Sequence, residues 1–460
     1  MSNLKSNDKV KLLHSKGWFG SVTLKAKNPH LELSAKSSSK INAFPDVFRF
    51  EEFQMFNGRI LTVVEGILGG GQSSFTDEER LTTAKIHVNQ ALIGEYGWSK
   101  NRKVKSLRVS IGQKFRHIWP SNFLPDTDKD YIENRSKYRK LTRFVLNDVT
   151  YTLSLAPSFN GGLINFKASA LSCKIDFKRK VTLDDAHLHV RAILSFFSFS
   201  AGERIYEDDL EYSDGVASAI KYVGGKTGRN IRKWHYFISP KGKSDNNSDQ
   251  SIHSSLFPFY TNASAQKFLK VMESWVEAYL KEPSHSAAMV GCISRAGNSY
   301  NEGRLLRAFA WFESIPEYKI KTKVTNGQIT KLINAAYDTA VEKRIEIDKQ
   351  RIRECLNGLK FETLRDRMNL AVKDLKSDLS PLLKANFLIQ LDNGIGFRNK
   401  IAHGSGVSES EVDDMMDATR SAEVLCYLIC LERHGLLLQD VENKGSHSTL
   451  SYLRALAKRS

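Results

Sequence analysis

The spacing of apolar residues changes once along this chain, from the period of two that suits a strand to the three-and-four spacing of a helix. That change constrains the fold more than any other feature. Residues 44 to 180 hold short alternating or β-branched runs separated by Gly, Asn and Pro: Arg59 to Glu65, Leu107 to Ile111, Arg143 to Leu153 and Leu163 to Phe177. In the last run Ile164, Phe166 and Ala168 fall on one face, as a half-buried sheet requires. Thr182, followed by Asp184 and Asp185, opens a helix through Leu188, Ala192, Ile193 and Phe196 that is expected to cross the sheet. Further strands are expected around Ile205 and from Lys233 to Ile238, and a loop over Ser239 to Ser251.

From Asn262 the spacing is helical, beginning with Phe268, Met272, Trp275 and Tyr279. Four more helices are marked by Leu305, Phe309 and Phe312; by Leu332, Ala335, Ala336 and Val341; by Phe361, Leu364, Met368 and Val372; and by Leu382, Leu383, Phe387 and Leu391. A capping box, Ser408 with Glu411, opens a long helix through Met415, Ala418, Ala422, Leu425 and Ile429 that stops at His434-Gly435. Ser446 to Ser460 is a last short amphipathic segment. The expectation is an α+β multidomain chain, with a β-rich domain over 1–261 and an all-α bundle over 262–460.

Charge separates the same two regions. The 460 residues carry 68 Lys and Arg against 51 Asp and Glu, a net +17. Before His285 the count is 42 basic against 29 acidic, and from it onward 26 against 22. The front region is the more basic, and such a surplus draws polyanions. Five cysteines without a CxxC pair argue against a disulfide framework or a zinc ribbon. No apolar stretch approaches the ~20 residues of a membrane span and the first residues lack a signal-peptide core, so a cytoplasmic protein without membrane contact is expected.

The segment Phe397-Arg398-Asn399-Lys400-Ile401-Ala402-His403-Gly404 concentrates a cation, an amide and an imidazole. Asn399 and His403 are four apart and share a helical face, whereas Arg398 is turned about 140° from His403. Gly394, Gly396 and Gly404 flank it, as expected of a short helix entered and left by tight turns.

This segment resembles the RNxxxH motif, a form of the Rx4-6H signature, of HEPN domains, which are helical nucleases that usually act as dimers. Glu302 to Glu313 looks like the long first helix of such a domain, and Leu425 to Gly435 like the closing one. A β-rich region ahead of the bundle is similar to the Apea-like HEPN proteins of bacterial anti-phage defence. The resemblance implies a homodimer or higher symmetric oligomer and an endoribonuclease acting on RNA, with tRNA among the candidate substrates. It also implies a front domain that answers a phage-derived activator.

RNA carries its own nucleophile, the 2′-hydroxyl, so neither metal nor cofactor is expected. A base removes its proton, a cation stabilises the charge building on phosphorus, and an acid protonates the leaving oxygen. His403 suits proton transfer, since an ordinary imidazole titrates near neutrality. Arg398 suits the phosphate, being permanently charged and forked. Asn399 would orient the histidine or the phosphate by hydrogen bonding. One histidine leaves the second proton-transfer role to water or to another subunit, and the products would carry a 2′,3′-cyclic phosphate. The competing class is a non-catalytic RNA-binding or regulatory protein that uses the bundle only to dimerise.

Other features read more plainly. Gly224-Gly-Lys-Thr227 ends like a P-loop but has Ile220 where the motif needs Gly, and is read as a basic turn. Gly69-Gly-Gly71 is read as joining two strands. His187 and His189 point to different faces of a helix and read as a packed or solvated pair rather than metal ligands. Cys426 and Cys430 read as core filling. Three basic segments with aromatic neighbours, 98–105, 135–140 and 228–234, supply candidate RNA-holding residues: Lys103, Lys105, Arg135, Lys137, Arg139, Lys140, Arg229, Arg232 and Lys233, with Lys400 beside the motif.

Overall fold

The computed structural model describes residues 10–14, 18–23, 30–37, 44–55, 59–75, 80–112, 139–156, 159–160, 163–164, 170–202, 204–207, 209–221, 227–231, 233–238, 262–284, 302–318, 320–441, 447 and 449–458. Its amino-terminal part is β-rich and antiparallel and its carboxy-terminal part is helical. By contact the chain divides into two compact units: Met1–Leu194, Ile205–His253 and Phe259–Leu280 form the first, and Ser195–Arg204, Ser254–Pro258 and Lys281–Ser460 the second.

Strands β1 (Val10–His14), β2 (Phe19–Thr23), β3 (His30–Ser37), β4 (Val47–Phe48), β5 (Glu51–Met55), β6 (Ile60–Phe75) and β7 (Arg80–Gly94) begin the first unit. Pairing runs β1-β2-β3-β7-β6-β5, and β5 pairs back to β1, so six strands close into an antiparallel barrel. Closure leaves these strands no open edge, and alternate residues fill the interior: Val22, Leu31, Leu33, Phe53, Met55, Leu61, Val63, Ile86 and Val88 belong to one buried cluster with Trp18. The strands before residue 44 were not among those expected.

Strand β7 has a second use. Its Arg80–His87 half pairs with β3, while Gln90–Gly94 pairs with the final strand of an open sheet. That sheet draws on β8 (Val104–Gly112), β9 (Arg139–Leu146), β10 (Val149–Ala156), β13 (Ala170–Val181), β14 (Asp209–Ser213) and β17 (Trp234–Ile238), in the order β7-β17-β14-β8-β13-β10-β9. Two small hairpins accompany it, β11 (Phe159–Asn160) with β12 (Leu163–Ile164) and β15 (Ala217–Lys221) with β16 (Thr227–Ile231). Helix α1 (Leu183–Ala201) starts on the expected signal, because the Asp185 N–H donates to Thr182 Oγ1 at 3.1 Å. It crosses the sheet as expected, with His189 against Tyr151 and Phe177 and His187 against Tyr212.

Several expectations change here. The run from Arg143 to Leu153 is two strands joined by a tight turn at Asn147 and Asp148, with φ of 48° and 65°, the left-handed pair a two-residue hairpin demands. Gly69 to Gly71 do not join strands but lie inside β6, at a register shift where a Cβ on Gly69 would stand 2.4 Å from the His87 ring. Ile205 belongs to no strand, and pairing resumes at Asp209. Phe166, Ala168, the Ser239 to Ser251 stretch and Gly224 to Lys226 lie outside the described residues. Helix α2 (Asn262–Lys281) groups with the first unit through Leu280, because helical spacing identifies an element without saying what its apolar face will meet.

The second unit holds α3 (Glu302–Ser314), α4 (Asn326–Glu342), α5 (Lys349–Asn357), α6 (Leu364–Asp374), α7 (Pro381–Ala402), α8 (Val412–Arg433) and α9 (Tyr452–Lys458). Helix α8 is its centre, buried on all sides from Ala422 to Leu431. Arg304 of α3 makes a bidentate pair with Glu423 of α8 at 2.8 and 2.7 Å, both side chains under a tenth exposed. The Tyr427 hydroxyl donates to Phe199 O at 2.6 Å and lies 3.1 Å from His447 Nε2, while His447 Nδ1 accepts the N–H groups of Thr449 and Leu450. This arrangement requires the tautomer with the proton on Nε2.

The helical expectations hold with three corrections. In α4 the buried residues are Ile329, Ile333 and Ala340, of which the two isoleucines meet Ile352 of α5, and Leu332, Ala335, Ala336 and Val341 face solvent. Phe361 precedes the α6 N-cap Thr363 and is 45% exposed rather than part of that helix's core face. Leu382 is exposed, and α7 buries Phe387, Leu391, Gly394 and Phe397 instead. Among the described residues no helix is long and apolar enough to cross a membrane.

Candidate functional site

The motif does not sit on a separate short helix. Gly394 and Gly396 lie within the single 22-residue helix α7, started by Ser380 accepting the Leu383 N–H. Gly394 is small for packing rather than for turning: a Cβ there would stand 3.0 Å from the Phe309 ring and 3.5 Å from Ala418 Cβ, so α7 can approach α3 and α8 closely. Departure from the helix is as expected. His403 is the C-cap, Gly404 takes φ +74°, and the N–H groups of Gly404 and Ser405 satisfy the carbonyls of Ile401 and Lys400.

This ending places the functional side chains. The His403 N–H donates to Asn399 O at 3.0 Å, which stacks the two residues one turn apart at the helix end, both exposed. No hydrogen bond or ion pair to the His403 imidazole is formed among the described residues. Arg398 turns away toward α3. Its Nη2 donates to Glu313 Oε1 at 2.9 Å and its Nη1 lies 3.4 Å from Asn399 Oδ1. Arg398 and Glu313 are each about a third exposed, at 34% and 33% of their side chains. Behind them Arg367 of α6 donates to the carbonyls of Glu313 and Tyr318 and lies over the Phe312 ring. Burial lowers the Arg367 pKa from its ordinary value.

Lys400 is tied on the other side. It pairs with Glu411 and lies 5.8 Å from the Phe397 ring centre. Glu411 also accepts the Ser408 N–H and hydroxyl, so the capping box that starts α8 also anchors Lys400. The Lys400 and Ser408 hydrogen bonds hold the Glu411 carboxyl down at about 2. The motif therefore offers an open imidazole, an amide, and a guanidinium whose fork faces one carboxylate. A half-open cleft of about 300 Å³ between α6 and α7, lined by Met368, Ile389 and Asp392 among others, contains none of the three motif residues.

The basic segments of the first unit are more structural than their composition implies. Trp98 and Trp234 are fully buried and pack edge to face, with ring centres 4.8 Å apart, so neither is open to stack on a base. Arg102 lies over Trp234 at 4.9 Å and pairs with Asp214 at 3.2 Å. Lys105 donates to the carbonyls of Phe177 and Lys178 at 2.7 and 2.9 Å, and Lys233 pairs with Glu211 at 2.9 Å. Lys103 is exposed. Arg139 and Lys140 fall in β9 and Arg229 in β16, while Arg135, Lys137 and Arg232 lie outside the described residues.

The remaining polar candidates are packed. Burial, with the Arg191 charge adding, lowers the His187 pKa to about 4, and burial lowers that of His189 to about 4. Cys426 and Cys430 are buried, and burial pushes the Cys430 thiol well above its usual range. Among the described residues no three His, Cys, Asp or Glu side chains gather as a metal ion would need. Sequence spacing missed Glu313, which reaches Arg398 from 85 positions upstream, and Arg367, which holds the Glu313 backbone. No protein-family model, curated protein or solved structure matches this chain significantly.

Proposed function

We propose that this chain is a metal-independent endoribonuclease of the HEPN type that acts in anti-phage defence, with Arg398, Asn399 and His403 as its centre. The observation that carries the reading is the ending of α7. It presents an exposed imidazole with no partner among the described residues, an exposed amide and a part-exposed guanidinium within six residues of one helix terminus. Cleavage by the 2′-hydroxyl needs these groups: Arg398 takes the non-bridging phosphate oxygens, His403 moves a proton, and Asn399 holds the Arg398 side chain or the phosphate. In this reading the chain works as a homodimer or higher symmetric oligomer, and the first unit senses an infection signal or holds RNA.

The test is to incubate purified wild type and His403→Ala with total bacterial RNA in EDTA and to map the new ends. Wild type is expected to leave 2′,3′-cyclic phosphate and 5′-hydroxyl ends, and His403→Ala to do so on the order of 100-fold more slowly or worse at unchanged melting temperature. The proposal fails if wild type leaves RNA intact even with lysate of infected cells added. It fails equally if His403→Ala cleaves like wild type.

A further inference from the structure

The half-open cleft between α6 and α7 contains no motif residue, yet it lies on the same side of α7 as two of them. Leu388, Asp392 and Ile395 belong to its α7 wall, and Asn399 and His403 continue that series in steps of four. At about 100° per residue, these positions all fall within about 80° of one another, so they make one ridge along the helix. The His403 N–H bonds to Asn399 O, which keeps the last of them on the helical path. At a rise of about 1.5 Å per residue, Asp392 stands about 10 Å along the axis from Asn399 and about 16 Å from His403. A single strand of RNA seated on Asn399 and His403 and following this ridge reaches the cleft within a few nucleotides.

What the cleft offers matches a nucleobase. Its volume of about 300 Å³ is at the small end of ligand sites. Met368, Leu388 and Ile395 give it apolar walls, which suit the faces of an unstacked ring. Its polar groups are the exposed Asn369 and the ion pair of Arg365 with Asp392. Those two side chains are 61% and 44% exposed, so the pair adds little to stability. Among the described residues neither makes a hydrogen bond, and Asp392 Oδ1 is a buried oxygen without a donor. Carboxylate and guanidinium thus stand side by side, each able to take a further partner. A carboxylate accepts from two adjacent donors at once, and guanine is the base whose pairing edge presents two, N1–H and N2–H, beside an O6 acceptor that suits a guanidinium. Adenine and cytosine would set a ring acceptor against the carboxylate, and uracil two carbonyls.

We infer that the α6–α7 cleft holds a guanine of the RNA substrate, a few nucleotides from the bond that is cut. Asp392 accepts N1–H and N2–H, Arg365 donates to O6, and the ring lies between the apolar walls. The assignment rests on the ribonuclease reading above and gives that site a sequence preference. In a symmetric assembly every copy brings one cleft with its motif, so the assignment is the same whichever protomer supplies the second proton-transfer group.

The test uses the full chain. Cut sites mapped in total bacterial RNA, once aligned on the cut, should show guanine at one fixed position within a few nucleotides of it. In synthetic RNAs built on such a site, replacing that guanine by adenine should lower kcat/KM by about 10- to 100-fold, and replacing it by inosine, which lacks only the N2 amino group, by less. Asp392→Asn should bring the guanine-to-adenine ratio to within a few-fold of one, and Arg365→Gln should move it the same way. Melting curves of both variants should match wild type. Wild type that cuts without a base preference overturns the assignment and leaves the ribonuclease standing. A guanine preference that persists in Asp392→Asn overturns it too. So does an Asp392→Asn variant whose assembly changes mass in light scattering, since the cleft would then lie between copies of the chain. Wild type that cuts no RNA overturns both.

Discussion

In the first unit Arg102 pairs with Asp214 at 3.2 Å, lies over the buried ring of Trp234, and faces a carboxylate that is 7% exposed. In the second unit Arg398 pairs with Glu313 at 2.9 Å, yet both partners are a third exposed. The bonds are alike; the surroundings are not. The buried Asp214 has little solvent to replace a lost partner, so Arg102, itself 23% exposed, is committed to holding the strand ends around Asp214 and Trp234. An open pair contributes no more than about 1 kcal/mol, so Arg398 can exchange a contact for a phosphate oxygen at little cost. Proximity of opposite charges therefore does not separate a structural arginine from a working one; access does.

That contrast can be broken by experiment. The largest expected effect is on activity: Arg398→Ala should reduce RNA cleavage by about 100- to 1000-fold, measured by fragment-end mapping, with the melting temperature unchanged. Equal loss of fold and activity would erase the distinction. Next comes stability: Arg102→Ala should cost about 3 kcal/mol, read from denaturant midpoints, because Asp214 is left enclosed without its cation. A neutral result would place Arg102 with Arg398 instead.

The smallest effect is a pH dependence of the first unit. His187 is held neutral by burial, with its pKa lowered from 6.5 to about 4. The unfolded chain binds this proton first, so stability is full above pH 6.5 and is lost as pH falls toward about 4, by on the order of 2 kcal/mol. Denaturant titrations of wild type and His187→Gln at pH 7 and pH 4.5 measure it. Since His189 carries a shift of the same size, the variant should lack roughly half of the loss, and an identical loss in both would remove His187 as a source.

The change from a strand-rich region to a helical one was legible because it is written in short-range spacing, and the cap at Thr182 and the stop at His434-Gly435 are local signals of the same kind. The barrel was not legible. Its closing pair joins Leu12, Leu13 and His14 to Met55, Gln54 and Phe53, and no pattern inside either segment specifies its partner. Gly394 shows a different limit: glycine in a sequence reads as a turn, whereas here it marks where a Phe309 ring needs the space of a side chain. Composition misled at Trp98 and Trp234, whose basic neighbours suit a base-stacking surface while the rings themselves are buried. At the site, the spacing of Arg398, Asn399 and His403 was visible within six residues. Glu313 was not, since what brings it there is the packing of α3 on α7.

Strand β7 carries a consequence of another sort. The same fifteen residues form a wall of the closed barrel and the first strand of the open sheet. A one-residue slip would invert which side chains point inward in both at once, so neither part can adopt its alignment independently of the other. The shared strand makes the first unit's registry a joint decision: the barrel and the sheet are bound to succeed or fail together.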